Sequence, residues 1–300
     1  MFTLMSSIVK NFLNPVKIIK AICFHKKQKK YRRSGSDLEL MFYSRILKSD
    51  MLHLGYFEDT EIEQENISIN DIEKAQVRYA ENIVNKITNR NELILDVGCG
   101  MGGLAAMLMR QGYNVEVLTP NNNQIEYIKE KYPNLPYYNV KYEDLNTDKK
   151  YGTVITSESL QYINLDRAFL KTEDILSSGG QWIISDSFSI GNNNKKKSRL
   201  KWDEFSNKIK EHKLEIVYQQ DITRNILPVY KFLNLYVTRF GYPLIDYLEN
   251  KLLVKKAWLY YLTNDFRASL RRKVLKETAS IDPGKFINEY TYQFIVLKKN

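Results

Sequence analysis

The chain has 300 residues, 43% of them hydrophobic and 27% charged, which is enough apolar material for a large domain with a buried core and excludes disordered and fibrous classes. Its two cysteines, Cys23 and Cys99, are too few for a disulfide framework or a zinc cluster, so a reducing, cytoplasmic setting and no metal are expected. The net charge of +10 belongs to one end: residues 1–33 hold nine Lys or Arg and no Asp or Glu, leaving 36 basic against 35 acidic side chains elsewhere, so a nucleic-acid-binding body is not expected.

That basic arm joins an apolar stretch containing Phe2, Ile8, Phe12, Val16, Ile19 and Ile22 to the run His25–Arg33. Lysines at 10, 17 and 20 interrupt it at roughly helical spacing, which suits a helix lying in an anionic membrane surface. A helix packed on the body with a solvated basic tail fits the same residues, and both readings stay open. No run of about 18 uncharged apolar residues is present to cross a bilayer.

Residues 34–90 read as a helical cap. Within it, Asn70 followed three residues later by Glu73 predicts a capped start for a helix whose Ile72, Ala75, Tyr79, Ala80, Ile83, Val84 and Ile87 share one face. Short β-rich runs then alternate with helices: Leu93–Val97, Val115–Thr119, Tyr137–Tyr142, Thr153–Ser157 and Gln181–Asp186, separated by helices at Leu104–Arg110, Asn123–Lys131 and Leu165–Ser177. Gly179-Gly180 is expected to close the last helix. Two further strands, Leu214–Gln219 and Thr291–Leu297, complete a Rossmann-like, doubly wound, seven-stranded and mostly parallel α/β sheet. The core is expected at residues 91–222 and 289–300. The aromatic-rich stretch 223–288 is expected to be a helical substrate lid, with Asp282-Pro283-Gly284 turning into the last strand.

The sharpest local signal is Ile94-Leu95-Asp96-Val97-Gly98-Cys99-Gly100-Met101-Gly102-Gly103, a strand ending in an acid and a glycine-rich turn that opens a helix. Glycines let a ligand approach the backbone, and a helix N-terminus favours its anionic groups. Gly98, Gly100 and Gly103 also satisfy the dinucleotide spacing GxGxxG. Asp96, two residues before the first glycine, would face a pyrophosphate in that case but suits a cationic amino-acid group. Thr119 ends the second strand where a ribose-binding acid would be expected in a dinucleotide site. Glu116 has the opposite parity from Val117 and Thr119, so it belongs to the other face of the sheet.

Asp96 to Gly102 resembles the first motif, DxGxGxG, of the class I S-adenosylmethionine-dependent methyltransferases, and the resemblance runs from about residue 40 to 190. It is nearest to the branch of cyclopropane fatty acid synthases and of sterol and tocopherol methyltransferases. The resemblance implies S-adenosyl-L-methionine as cofactor. It implies that Gly98 and Gly100 contact the methionine half, with Asp96 near the amino group. Thr119 and Gln124 would serve the ribose. Tyr142 would stack on adenine, and Glu143 would accept from its amine. Tyr56, in the segment Met51–Phe57, would bond the methionine carboxylate. Ser157, at the end of the fourth strand, is placed with the cofactor-binding residues.

Where cyclopropane synthases carry Glu-His, this chain has Gln161-Tyr162, so ordinary methyl transfer to O, N or C of a hydrophobic small-molecule or lipid-like acceptor is expected ahead of cyclopropanation. Glu158, His53 and Tyr162 are the candidates for catalytic work at the acceptor. A membrane-associated binding module without chemistry is the non-enzymatic alternative. The sequence carries no signal of oligomeric state.

Overall fold

The computed structural model describes residues 14–31, 49–190, 200–212 and 214–299. Residues 1–13 and 32–33 of the basic arm, and 34–48 of the expected cap, lie outside this set. Within the arm, Pro15–Tyr31 is a helix (α1) that exposes Val16, Ile19 and Ile22. No helix among the described residues is long and apolar enough to cross a membrane.

The next helix, α2 (Ile69–Val84), starts two residues earlier than the sequence suggests. Ser68 is its N-cap: its hydroxyl accepts from the Asp71 amide while the Asp71 carboxylate accepts from the Ser68 amide, so Asn70 and Glu73 sit inside the helix. Its buried face carries Ile72, Ala75, Gln76, Tyr79, Ala80, Ile83 and Val84, and the helix ends there, so Ile87 joins the same core from the turn beyond it. Each large apolar side chain on that face contributes about 1.5–3 kcal/mol by leaving water.

Alternation then builds the sheet: β1 (Ile94–Val97), α3 (Gly103–Arg110), β2 (Val115–Leu118), α4 (Asn122–Lys131), β3 (Tyr137–Tyr138), β4 (Tyr151–Ser157), α5 (Leu165–Ile175), β5 (Leu176–Ser189), α6 (Trp202–Glu211) and β6 (Leu214–Asp221). Four helices follow, α7 (Thr223–Tyr236), α8 (Tyr242–Lys255), α9 (Ala257–Leu262) and α10 (Asn264–Thr278), with a π-helical turn at Val237–Gly241 between the first two. A short α11 (Pro283–Glu289) leads into β7 (Tyr290–Lys299). The strand order is β3-β2-β1-β4-β5-β7-β6, parallel throughout except for β7, which runs antiparallel to both neighbours. This is the seven-stranded, mostly parallel α/β architecture expected from the alternation.

Strand parity sorts the core into two layers, as a parallel sheet covered on both faces requires. Ile94, Ile155 and Ile183 pack with α2 and α3 on one face, whereas Leu95, Val154 and Trp182 pack with α5 and α6 on the other.

Three of the differences from the expected boundaries have a cause in named hydrogen bonds. β3 stops at Tyr138, because the Asn139 side-chain amide donates to the Thr119 carbonyl (3.0 Å) and Tyr142 turns into a 3-10 segment, Tyr142–Asp144. The helix expected to reach Ser177 ends at Ile175, and β5 starts at once. Lys299 Nζ donates to the carbonyls of Glu173 and Leu176, capping the helix end without the two glycines. Asp282 does not turn directly into the last strand; its side chain accepts from the Lys285 amide at 2.9 Å and caps α11.

Candidate active site

The strand order reverses between β1 and β4, and ligands of open α/β sheets bind beyond the carboxyl ends of the strands at such a switch point. A cavity of about 480 Å³ lies there. Its walls come from the ends of β1, β2 and β4, and its cover is the segment 50–53.

The glycine turn makes the near wall. Gly98 has φ +74°, and a Cβ on it would stand 2.3 Å from the Ser159 Cβ, so only glycine fits. The Gly98 amide donates to the Leu118 carbonyl at 2.7 Å, and the Ser159 hydroxyl donates to the Val97 carbonyl at 2.6 Å, tying the turn to β2 and to the β4 end. The covering segment is fixed by its neighbours. Gln76 Nε2 donates to the carbonyls of Met51 and His53, and the Tyr56 amide donates to Ala75 O of α2. At the far end Asp50 accepts from the hydroxyls of Tyr127 and Tyr132 and pairs with Lys131 at 2.5 Å. Burial would raise the Asp50 pKa, but those partners outweigh it and hold the carboxyl below its usual range.

Two carboxyl groups of the cavity wall, Asp96 and Glu158, have raised pKa values, and a third such group, Asp186, stands behind them. Asp96 Oδ2 is buried with no hydrogen-bond partner, and burial pushes its pKa up to about 7. Glu158 follows β4 with a left-handed backbone, φ +54°, rare for a residue with a Cβ. Its Oε1 accepts from the Leu54 amide and from the Tyr292 hydroxyl, both at 2.7 Å, and burial raises its pKa to about 7. Asp186, three residues before the end of β5, accepts from the amides of Ser187 (2.8 Å) and Gln161 (3.3 Å), and burial likewise pushes it up to about 7.

Raised carboxylate pKa values mean that the native chain holds protons the unfolded chain has released, so stability falls as pH rises from the unfolded values near 4 toward 7. His53 acts oppositely, since burial lowers it to about 4, but its contribution is complete above its ordinary 6.5. Between pH 6 and 8 the carboxylates therefore dominate, and the ligand-free chain is expected to lose about 1 kcal/mol per carboxylate. Calorimetric melting at the two pH values checks this; an unchanged or higher melting temperature at pH 8 contradicts it.

His53 lines the cavity and stacks on Tyr79, with ring centroids 4.3 Å apart. Its Nδ1 lies 2.8 Å from the Leu54 carbonyl, an acceptor only, so the proton is assigned to Nδ1 and Nε2 keeps a lone pair; Nε2 is buried and unpartnered. Behind it runs a polar chain in which the Ser157 hydroxyl donates to Tyr79 Oη, which contacts Tyr292 Oη at 2.9 Å, which donates to Glu158.

The cofactor candidates are brought together with some exceptions. Thr119 and Gln124 meet at 2.5 Å on the β2 side, and no carboxylate joins them in the cavity wall there. Glu143 lines the far end. Tyr142 also lines it but is 2% exposed, and its hydroxyl contacts Thr172 in the core at 2.7 Å, so a free stacking ring is not what the fold provides. Tyr56 does not reach the cavity lining; it packs against the core cluster beside α2, because its backbone is pinned to Ala75. Tyr162 stands at the rim, 83% exposed. The Cys99 thiol is pushed up by burial and is no thiolate. Glu116 lies on the opposite face, held by Lys149 Nζ (2.5 Å) and the Tyr151 hydroxyl (2.9 Å). None of the residues 223–288, expected as a lid, lines the cavity; α7 instead packs on Phe57, Ile67 and Ile72.

Sequence reasoning missed Asp186, Tyr79 and Tyr292 as neighbours of Glu158. Asp186 was legible as an acid closing the apolar run Trp182-Ile183-Ile184, the pattern that singled out Asp96. The two tyrosines were not, since their meeting depends on β7 returning beside β5.

Residues 94–180 match the protein family described as "Methyltransferase domain". The ubiquinone biosynthesis O-methyltransferase of Rickettsia felis is 35% identical over 115 residues, covering 35% of this chain and 47% of that protein, so the chain spans about half the length of the curated relatives it matches. Among solved structures, the 4+2 cyclase SpnF is similar with a TM-score of 0.64 at 15% identity, covering 88% of this chain and 93% of that one. Geranyl diphosphate C-methyltransferase from Streptomyces coelicolor A3(2) is similar with a TM-score of 0.58 at 16% identity, covering 83% and 87%. At these identities the structural likeness concerns the fold.

Proposed function

We propose that this chain, which carries a methyltransferase domain over residues 94–180, is an S-adenosylmethionine-dependent methyltransferase acting on a hydroxyl of a hydrophobic, lipid-like small molecule. The observation that carries the reading is the buried, unpartnered Asp96 carboxylate in the cavity wall beside the glycine turn. A buried carboxylate without a donor is costly, and the α-ammonium of an amino-acid cofactor supplies the missing partner. A diphosphate in the same place would meet repulsion. Thr119 and Gln124 offer neutral hydrogen bonds suited to ribose hydroxyls, and Glu143 offers an acceptor for the exocyclic amine of adenine.

The cofactor supplies a methyl group on a positively charged sulfur, open to in-line displacement. The chain's own work is to position, to exclude water and to take a proton. Glu158, with Oε1 fixed by Leu54 and Tyr292, receives the proton of the acceptor hydroxyl as the new O–CH₃ bond forms and the S–CH₃ bond breaks. It then returns that proton to solvent. Its pKa near 7 matches that duty at neutral pH. Neutral His53 offers a lone pair that orients the hydroxyl. The O-methyltransferase name of the Rickettsia felis relative supports oxygen as the acceptor atom. Residues 1–33, with nine basic and no acidic side chains, add attraction to an anionic surface where lipid-like acceptors reside.

Gly100→Arg tests the site with little risk to the fold. A Cβ there meets Leu52 Cδ1 at 2.9 Å, the end of a flexible side chain, and the left-handed backbone costs about 1–2 kcal/mol, while the guanidinium fills the cavity. Calorimetric titration with S-adenosylmethionine is expected to show saturable binding for the natural chain and none for the variant. Labelled methyl is expected to enter an organic extract only with the natural chain. Absence of binding by the natural chain refutes the proposal, and binding without transfer leaves a cofactor-binding module in its place.

A further inference from the structure

Helices α8, α9 and α10 turn large apolar groups outward. Among residues 237–276 no side chain is buried, although the segment is rich in large apolar groups. Tyr261 is 80% exposed, Leu262 71% and Phe266 69%, with Leu244, Tyr247 and Trp258 also outward. Polar contacts link the helices to one another. Arg271 pairs with Asp246 at 2.8 Å and Glu249 at 3.4 Å, Arg267 pairs with Glu249 at 3.6 Å and lies over the Tyr260 ring at 3.4 Å, and Tyr242 Oη meets Thr278 Oγ1 at 2.5 Å. Large apolar groups this exposed suit a medium that is itself apolar on the outer side.

The charge identifies that medium. Residues 237–276 hold nine basic and three acidic side chains, whereas the chain outside this segment and residues 1–33 holds 27 basic against 32 acidic. Two of the three acids are occupied by Arg267 and Arg271. The exposed Lys251, Lys255, Arg272 and Lys276 have no carboxylate partner among the described residues. Lysines of this kind lay their stems along apolar surface and hold their charge at its polar edge, and Trp and Tyr favour the same boundary.

We propose that the outward faces of α8–α10 dock on a bilayer surface rich in anionic lipid, with the apolar and aromatic side chains at acyl depth and the four unpaired cations among the headgroups. A second copy of the chain is disfavoured as occupant, because two such faces would bring like charge together. The proposal concerns a surface apart from both the cavity and residues 1–33, and its test needs no methyl transfer.

The test uses the full chain with vesicles of phosphatidylcholine, with or without phosphatidylglycerol. Trp182 is fully buried and Trp202 packs on the core, so Trp258 is the exposed reporter. Expected are a blue shift of its emission and quenching by brominated lipid with phosphatidylglycerol present, both lost in Trp258→Phe. The variant carrying Lys251→Glu, Lys255→Glu, Arg272→Glu and Lys276→Glu keeps residues 1–33 and is expected to bind these vesicles at least about tenfold more weakly, with its helical content checked by circular dichroism. An unaltered Trp258 signal on vesicles that carry the chain overturns the proposal. So does a vesicle-free dimer that the four substitutions abolish, which would make a second copy the occupant.

Discussion

Glu158→Gln is expected to lower kcat by about 10² to 10⁴, the range that a positioned proton acceptor contributes. The exchange is nearly isosteric. An amide Oε1 still accepts from the Leu54 amide and the Tyr292 hydroxyl, so the left-handed turn after β4 stays in place. What disappears is the capacity to ionise. Because the carboxyl titrates near 7 and works when deprotonated, kcat of the natural chain is expected to rise as pH increases through about 7, while the variant stays flat there. A variant whose profile still climbs through 7 would hand the role to another group, with the buried Asp186 first in line. The same variant is expected to be more stable than the natural chain at pH 8 by about 1–2 kcal/mol, since an ionised buried group is gone, and little different at pH 5.

Asp96→Asn is the second large effect. If the carboxylate pairs with an ammonium in a dry cavity, neutralising it costs about 2–5 kcal/mol, or a weakening of S-adenosylmethionine binding by about 30-fold or more. The fold is expected to gain stability above pH 7, because Oδ2 has no protein partner to lose. Lower affinity with a higher melting temperature is the signature of a residue kept for its ligand. Unchanged affinity in a calorimetric titration would remove the ammonium from the Asp96 position.

Much of this was legible in the chain itself, for a local reason. Parity in β1 and β2 sends Asp96 and Thr119 to the ligand side and Glu116 to the other, and the glycine turn writes its backbone requirement in three residues. Helix α2 was legible from its apolar face but not from its cap, since Ser68 with Asp71 and Asn70 with Glu73 both satisfy the same short pattern. Illegible were the features made by distant pieces. Tyr56 reads as a ligand contact until the Ala75 carbonyl is seen to hold its backbone. Tyr142 reads as an open ring until Thr172 takes its hydroxyl. The stretch 223–288 reads as a cover because its apolar groups need something to cover, and sequence does not say on which side they turn.

The isoelectric point of 9.2 is an average over parts of opposite sign, a mildly acidic remainder and two strongly basic segments. Near a negative surface a molecule so divided feels a torque as well as a pull. That torque is screened beyond about 8–10 Å at physiological ionic strength, so raising the salt concentration weakens it.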